Sequence, residues 1–301
     1  MNSRTFLDIP LDVFDLILEK LKPMELLISR DVCRSLRTAV DRFGFGIDEI
    51  EVYFRDENLT LKWKNDDIWY FGAVKGGTIV LYDDGERKLR IEKKHFVGIA
   101  LCDLRIFLKH ASMLTIYDYL KDRQDFIESF IEILKSDGII KVKEIVFFQV
   151  SFKDAIAILP YFDAEVLDLQ TTGSINQFEQ MTHLSLWKNC KTFKFSRYVD
   201  SKLFSHLFHF ENFNISMLDF NTQIAMKMRD DLMRRSTFKS CRIEFDKWNL
   251  IEIAKVFKPD YAGGNVFKIK YSNNDYTFTI KCKPWHGMAW SNKFTVFVRK
   301  L

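Results

Sequence analysis

Apolar positions change their period twice along this chain. Over the first forty-odd residues they recur at helical spacing, with Val13, Phe14, Ile17, Leu18 and Leu21 forming one stripe, Asp8 placed to cap it and Pro10 suited to its first turn. Pro23 ends that helix; Met24 to Arg30 reads as a second and Val32 to Phe43 as a third, closed by Gly44. From Ile47 to about Glu92 the period drops to two, in Ile50–Phe54, Leu59–Trp63, Ile68–Phe71, Thr78–Tyr82 and Leu89–Ile91. Polar or glycine turns separate these runs, among them Gly76-Gly77 and Asp83-Asp84-Gly85. Short strands with short polar connections predict an antiparallel meander.

Beyond Phe96 the two periods alternate. The pattern predicts helices over 96–109, 122–136, 151–159, 176–189, 200–208, 221–235 and 249–257, with strands near 113–117, 142–148, 165–169, 192–195, 212–216 and 240–245. From 142 onward strand starts fall roughly 20–28 residues apart, the period of leucine-rich repeats built from one strand and one helix. A doubly wound sheet gives the same alternation, but no glycine-rich phosphate turn follows any strand, so the repeat array is preferred. The segment 264–301 returns to strands. The expected fold is mixed, α+β with α/β character: a three-helix module over 1–45, a short β meander over 46–95, and a leucine-rich-repeat-like solenoid ending in strands over 96–301.

Composition supports a well-packed protein. Hydrophobic residues make up 47% of the 301, with 29 Phe but only 12 Gly and 5 Pro, so regular elements follow one another closely and intrinsic disorder is not expected. No run approaches the ~20 apolar residues of a membrane helix. Asp8, Asp12 and Asp15 interrupt the N-terminal apolar residues, so no signal-peptide core is present. Five cysteines without a CxxC pair favour a reducing compartment. A cytoplasmic or nuclear protein, not a secreted one, is expected. The net charge of +4 is uneven: Lys268, Lys270, Lys281, Lys283, Lys293, Arg299 and Lys300 face only Asp275 in the last forty-odd residues. These lysines alternate with Ile269, Ile280 and Val296, which reads as a solvated sheet face; binding of nucleic acid through this end, with Tyr271, Tyr276, Trp285 and Trp290, is the competing reading.

Catalytic chemistry finds little support. GxxxxGK[ST], GxSxG, HExxH and GxGxxG are all absent. His206 and His209 have metal-compatible spacing but sit among Phe204, Leu207, Phe208 and Phe210, which favours packing. Arg229, Asp230, Asp231, Arg234 and Arg235 read as a solvated helix face with internal ion pairs. Cys33 has no neighbouring histidine to activate it and reads as a core thiol. No metal, no cofactor and no enzymatic activity are expected.

The first module carries the stronger signal. Ile9-Pro10-Leu11-Asp12-Val13-Phe14-Asp15-Leu16-Ile17-Leu18-Glu19-Lys20-Leu21, then Pro23-Met24-Glu25-Leu26-Leu27, then Val32-Cys33-Arg34-Ser35-Leu36-Arg37, resembles an F-box from end to end. Leu36 replaces the usual Trp of the third helix, and Leu still fills an apolar pocket. Further stretches are similar to nematode F-box proteins that carry an FTH domain, among them Ile158-Leu159-Pro160-Tyr161-Phe162-Asp163-Ala164-Glu165, Leu186-Trp187-Lys188-Asn189, Met228-Arg229-Asp230-Asp231-Leu232 and Phe257-Lys258-Pro259-Asp260-Tyr261.

The resemblance implies a substrate receptor of an SCF-type cullin-RING ubiquitin ligase. The F-box would dock on a Skp-type adaptor and through it on cullin, while the FTH domain would hold a target protein. Ile9, Pro10, Val13, Ile17, Leu21, Pro23, Leu27, Val32 and Leu36 form the candidate adaptor contacts; each competes with a place in the module's own core. A solenoid scaffold uncoupled from any ligase is the alternative. On the strand face, period two turns Phe193 and Phe195 inward and leaves Asp168, Thr192 and Lys194 as candidate target contacts, against the alternative of a merely solvated face. Neither specific nucleic-acid binding nor membrane association is expected.

Overall fold

The computed structural model describes residues 11–64, 66–82, 85, 87–120, 124–136, 138–246, 249–284 and 293–301. They fall into two compact units, Met1–Val142 and Lys143–Leu301.

The first unit opens with α1 (Leu11–Leu18), α2 (Pro23–Val32) and α3 (Arg34–Phe43). Pro23 occupies the first turn of α2, where its missing N–H costs nothing, and the Lys22 N–H donates to Glu25 Oε2 at 2.9 Å. The sequence places Val32 at the start of the third helix; instead it ends α2, because Cys33 is extended (φ −159°, ψ 167°) and breaks the run. Gly44 closes α3 with φ +85°, a conformation a side chain would strain.

The meander forms as β1 (Glu49–Phe54), β2 (Asn58–Trp63), β3 (Asp66–Gly72), β4 (Thr78–Tyr82) and β5 (Arg87–Ile91), paired antiparallel in chain order. Periodicity alone does not reveal the partner on the other side of β1. That is β6 (Met113–Asp118), parallel to β1. Alternate residues line up across the sheet, so Ile116, Val52, Leu61 and Ile68 share one register, all fully buried. Helix α4 (Phe96–Leu108) buries Ala100, Leu101, Leu104 and Phe107 at helical spacing; α5 (Gln124–Lys135) brings Phe130 to Phe54, ring centroids 5.9 Å apart.

The second unit runs β7 (Ile140–Ser151), α6 (Phe152–Ile158), β8 (Phe162–Thr172), α7 (Phe178–Thr182), α8 (Ser185–Asn189) and β9 (Thr192–Val199). A 3-10 turn over 201–207 leads to β10 (Asn212–Met217), α9 (Thr222–Asp230), β11 (Ser240–Asp246) and α10 (Leu250–Phe257), then β12 (Phe267–Ser272), β13 (Thr277–Pro284) and β14 (Lys293–Lys300). Polar side chains start several of the helices: Ser151 accepts from the Asp154 N–H, Asp200 from that of Lys202, and Asn221 from those of Gln223 and Ile224. The helix expected over 176–189 is two short ones, because Leu184 is extended (ψ 145°).

Strand order is β7-β8-β9-β10-β11-β14-β13-β12. From β7 to β11 it follows the chain with no reversal, so the doubly wound alternative is set aside. Pairing is parallel from β8 through β11 and antiparallel from β11 through β14, β13 and β12. Leu167, Phe193, Phe213, Cys241, Val298, Ile280 and Ile269 occupy one register on the same face, every one buried. Phe178 and Trp187 from the short helices and Phe210 pack on Phe193 with centroids 4.8–6.4 Å apart.

Candidate functional site

Two surfaces can hold a partner, one in each unit. Ion pairs link the three helices of the module around a small core. Arg30 of α2 grips Asp41 of α3 through two bonds of 2.6 and 3.2 Å, and Arg42 of α3 reaches Asp15 of α1 at 2.5 Å. Phe14, Leu18, Leu26, Leu27 and Val40 fill the interior. Leu27, a candidate adaptor contact, is only 4% exposed and belongs to that interior. Val13 and Val32 are exposed, at 46% and 68%, while Ile17, Leu21, Pro23 and Leu36 are half-buried. Ile9 and Pro10 lie outside the described residues. Sequence reasoning missed Leu16 (60%) and Ile28 (42%). Each is one helical turn from an exposed valine, Leu16 from Val13 and Ile28 from Val32, and that spacing is the signal that finds them. A small module leaving these side chains in water carries an unmatched apolar surface.

The second surface is the polar face of the second unit's sheet. Asp168, Lys194, Asn214, Arg242, Phe297, Lys281 and Lys268 stand in one register, directly behind the buried row from Leu167 to Ile269. Phe193 and Phe195 are core and Thr192 and Lys194 face outward, as period two requires. Asp168 is held, its side chain only 14% exposed: Lys194 Nζ lies 3.6 Å from it and 3.1 Å from Glu144. Burial raises the Asp168 carboxyl, and Lys194 pulls it back only partly. For Lys194, burial lowers the ammonium but Glu144 and Asp168 outweigh it and hold it above its ordinary value. Thr192 accepts from Asn212 Nδ2 at 3.4 Å, and Ser240 donates to Asn212 Oδ1 at 2.8 Å.

Other chemistry-bearing groups are occupied structurally. The ring nitrogens of His209 lie 3.0 Å from the His206 carbonyl and 2.8 Å from that of Trp187. Arg229 grips Asp230 through two bonds of 2.7 and 2.9 Å and donates to the Val256 carbonyl. Trp285, Trp290 and the Asp83-Asp84 turn lie outside the described residues. No described helix is long and apolar enough to cross a membrane.

Comparison with known proteins agrees with this layout. The F-box domain model matches residues 6–48 and the FTH domain model residues 124–260. F-box A protein 224 of Caenorhabditis elegans is 24% identical over 275 residues, covering 86% of this chain and 71% of the relative. No solved structure matches significantly. The helices with an uncovered apolar stripe thus lie in the F-box, the strand-and-helix succession that follows contains the FTH domain, and the chain carries both domains.

Proposed function

We propose that this chain is the substrate-receptor subunit of an SCF-type ubiquitin ligase, working in the cytoplasm or nucleus. Its F-box takes a Skp-type adaptor, and through it cullin, while its FTH domain takes the protein to be modified. The observation that carries the reading is the exposed apolar set Val13, Leu16, Ile28 and Val32 on a module whose own interior is already filled by other residues. Ile9, Pro10, Ile17, Leu21, Pro23 and Leu36 complete the docking contacts; Leu27 supports them from beneath. The receptor makes and breaks no bond itself. It contributes proximity, bringing a target lysine near an activated ubiquitin held elsewhere in the assembly.

We read the F-box as 1–45, a connecting β region as 46–95 and the FTH region as 96–301, with leucine-rich-repeat-like character in the latter. Parallel strands taken in chain order from β8 to β11 support that character, as does a recurrent hand-over at strand starts. There the Lys191 N–H donates to the Glu165 carbonyl, that of Glu211 to Lys191 and that of Lys239 to Glu211.

Co-expression with a Skp-type adaptor tests the reading. Copurification is expected for the native chain and its loss for V32D or I17D. A carboxylate forced into an apolar helix contact lowers affinity about a thousandfold, roughly 4 kcal/mol. Unchanged recovery of both folded variants would overturn the docking assignment.

A further inference from the structure

The polar sheet face of the second unit separates its charges. Lys194, Lys239 and Arg242 each have a carboxylate within ion-pair distance: Glu144 with Asp168, Glu211, and Glu244. Lys268, Lys281, Lys283 and Arg299, on β12, β13 and β14, have no such partner among the described residues and are exposed. Lys268 and Lys281 stand directly opposite each other in the β12–β13 ladder. Like charges at that position destabilise a sheet, so this edge holds cations that the fold itself does not use. The undescribed stretch 285–292 contains no Asp or Glu in its sequence that could neutralise them.

These residues line a concavity of ≈ 1370 Å³ that reaches from β9 to β12. Within it Phe297 offers a ring flanked by cations, with the Arg242 guanidinium 5.2 Å and Lys283 Nζ 5.3 Å from its centroid. Arg242 Nε is buried and meets no acceptor among the described residues. Asn212, Asn214, Ser240 and Thr192 supply neutral donors and acceptors alongside.

We infer that this concavity binds an extended acidic segment of a partner polypeptide, its carboxylates over Lys268, Lys281 and Arg299. The assignment rests on the FTH region being the target-holding part, and it names the chemistry of what is held. The segment lies over β14, β13 and β12, which carry those cations, and stops short of the carboxylates nearer β9; two gaps of ~4.8 Å need roughly three extended residues. Nucleic acid fits less well. A phosphate backbone continuing across the face meets Glu244, Asp168 and Glu144, and among the described residues of this face Phe297 supplies a single ring, not a stacking series. The concave form also mismatches a planar lipid surface.

The test uses the full chain and a fluorescein-labelled oligoglutamate peptide of roughly ten residues, read by anisotropy at low salt. Saturable binding that weakens with salt is expected, and K268E should reduce affinity about tenfold. That variant also turns the Lys268–Lys281 repulsion into an attraction, so its melting temperature should hold or rise; loss of binding is then not loss of fold. F297A serves as the second variant and should also weaken binding, whereas K255E, at an exposed position of α10 paired with Glu252, should leave it unchanged. Absent peptide binding, or equal binding by K268E and F297A, overturns the inference. So does tighter binding of a single-stranded oligonucleotide or of phosphatidylserine vesicles. Adaptor copurification, measured in parallel, reports on the receptor reading separately: K268E leaves it intact, and its absence in the native chain sinks that reading without touching the peptide result.

Discussion

Lys194 on β9 stands directly across the parallel ladder from Asp168 on β8, and its Nζ reaches Glu144 on β7 as well. Two residues that the sequence offers as separate target contacts are therefore one electrostatic unit. Reversing Lys194 alone puts three carboxylates together. K194E should lose roughly 1–2 kcal/mol in urea unfolding, and D168K added to it should recover about half, because the exchanged pair again sets one cation among two carboxylates. An unchanged midpoint for K194E would show that the cluster contributes nothing to stability.

Asp103 on α4 accepts a 2.8 Å hydrogen bond from the hydroxyl of the fully buried Tyr70. Burial raises its carboxyl from 3.8 to about 6, with Tyr70 and Arg30 opposing and Asp31 adding to the rise. The folded state then holds a proton that the unfolded chain releases near pH 4. Stability should fall as pH rises from about 4 to about 6 and level off above, by roughly 2–3 kcal/mol. D103N should flatten that portion of the profile. Superimposable wild-type and D103N profiles between these limits would remove Asp103 as its source.

The thiols should sort by burial. Burial pushes Cys190 up to about 11 and Cys282 up to about 12, and Cys241, wholly enclosed, also rises. Cys102 is exposed and Cys33 half-buried. Ellman's reagent at about pH 8 should titrate Cys102 fast and Cys33 next, with the other three reacting only after denaturation. Fast reaction of Cys241 in the native protein would contradict the packing of α9 on β11, where Met228 Sδ lies 3.9 Å from the Cys241 Sγ.

Leu36 sits half-buried on α3, where the F-box pattern usually carries Trp. An indole there adds apolar contact at a docking surface. L36W should tighten adaptor binding about tenfold, near 1.4 kcal/mol, in a calorimetric titration. Weaker binding by a folded L36W would place Leu36 outside the contact.

What the linear chain specifies is local. Side-chain alternation is a property of one strand, so Phe193 and Phe195 read as core and Thr192 and Lys194 as outward without any knowledge of neighbours. Helix spans over 96–109 and 249–257 were legible for the same reason, since a 3.6-residue period needs no partner to be seen. The F-box was legible because its pattern lies in one continuous stretch, from Ile9 to Arg37. Tertiary structure alone decided which helical residues face water: Leu27 and Val32 share one short helix, yet folding buries the first and leaves the second bare. It alone paired β1 with β6 across the intervening meander, and joined Asp168, Lys194 and Glu144 from three strands. Register between strands depends on loop closure and on the packing of a whole face, and neither is written in the period of a single segment. The same dependence brought Lys268 opposite Lys281: their outward direction is local, but their repulsion exists only once β12 and β13 pair.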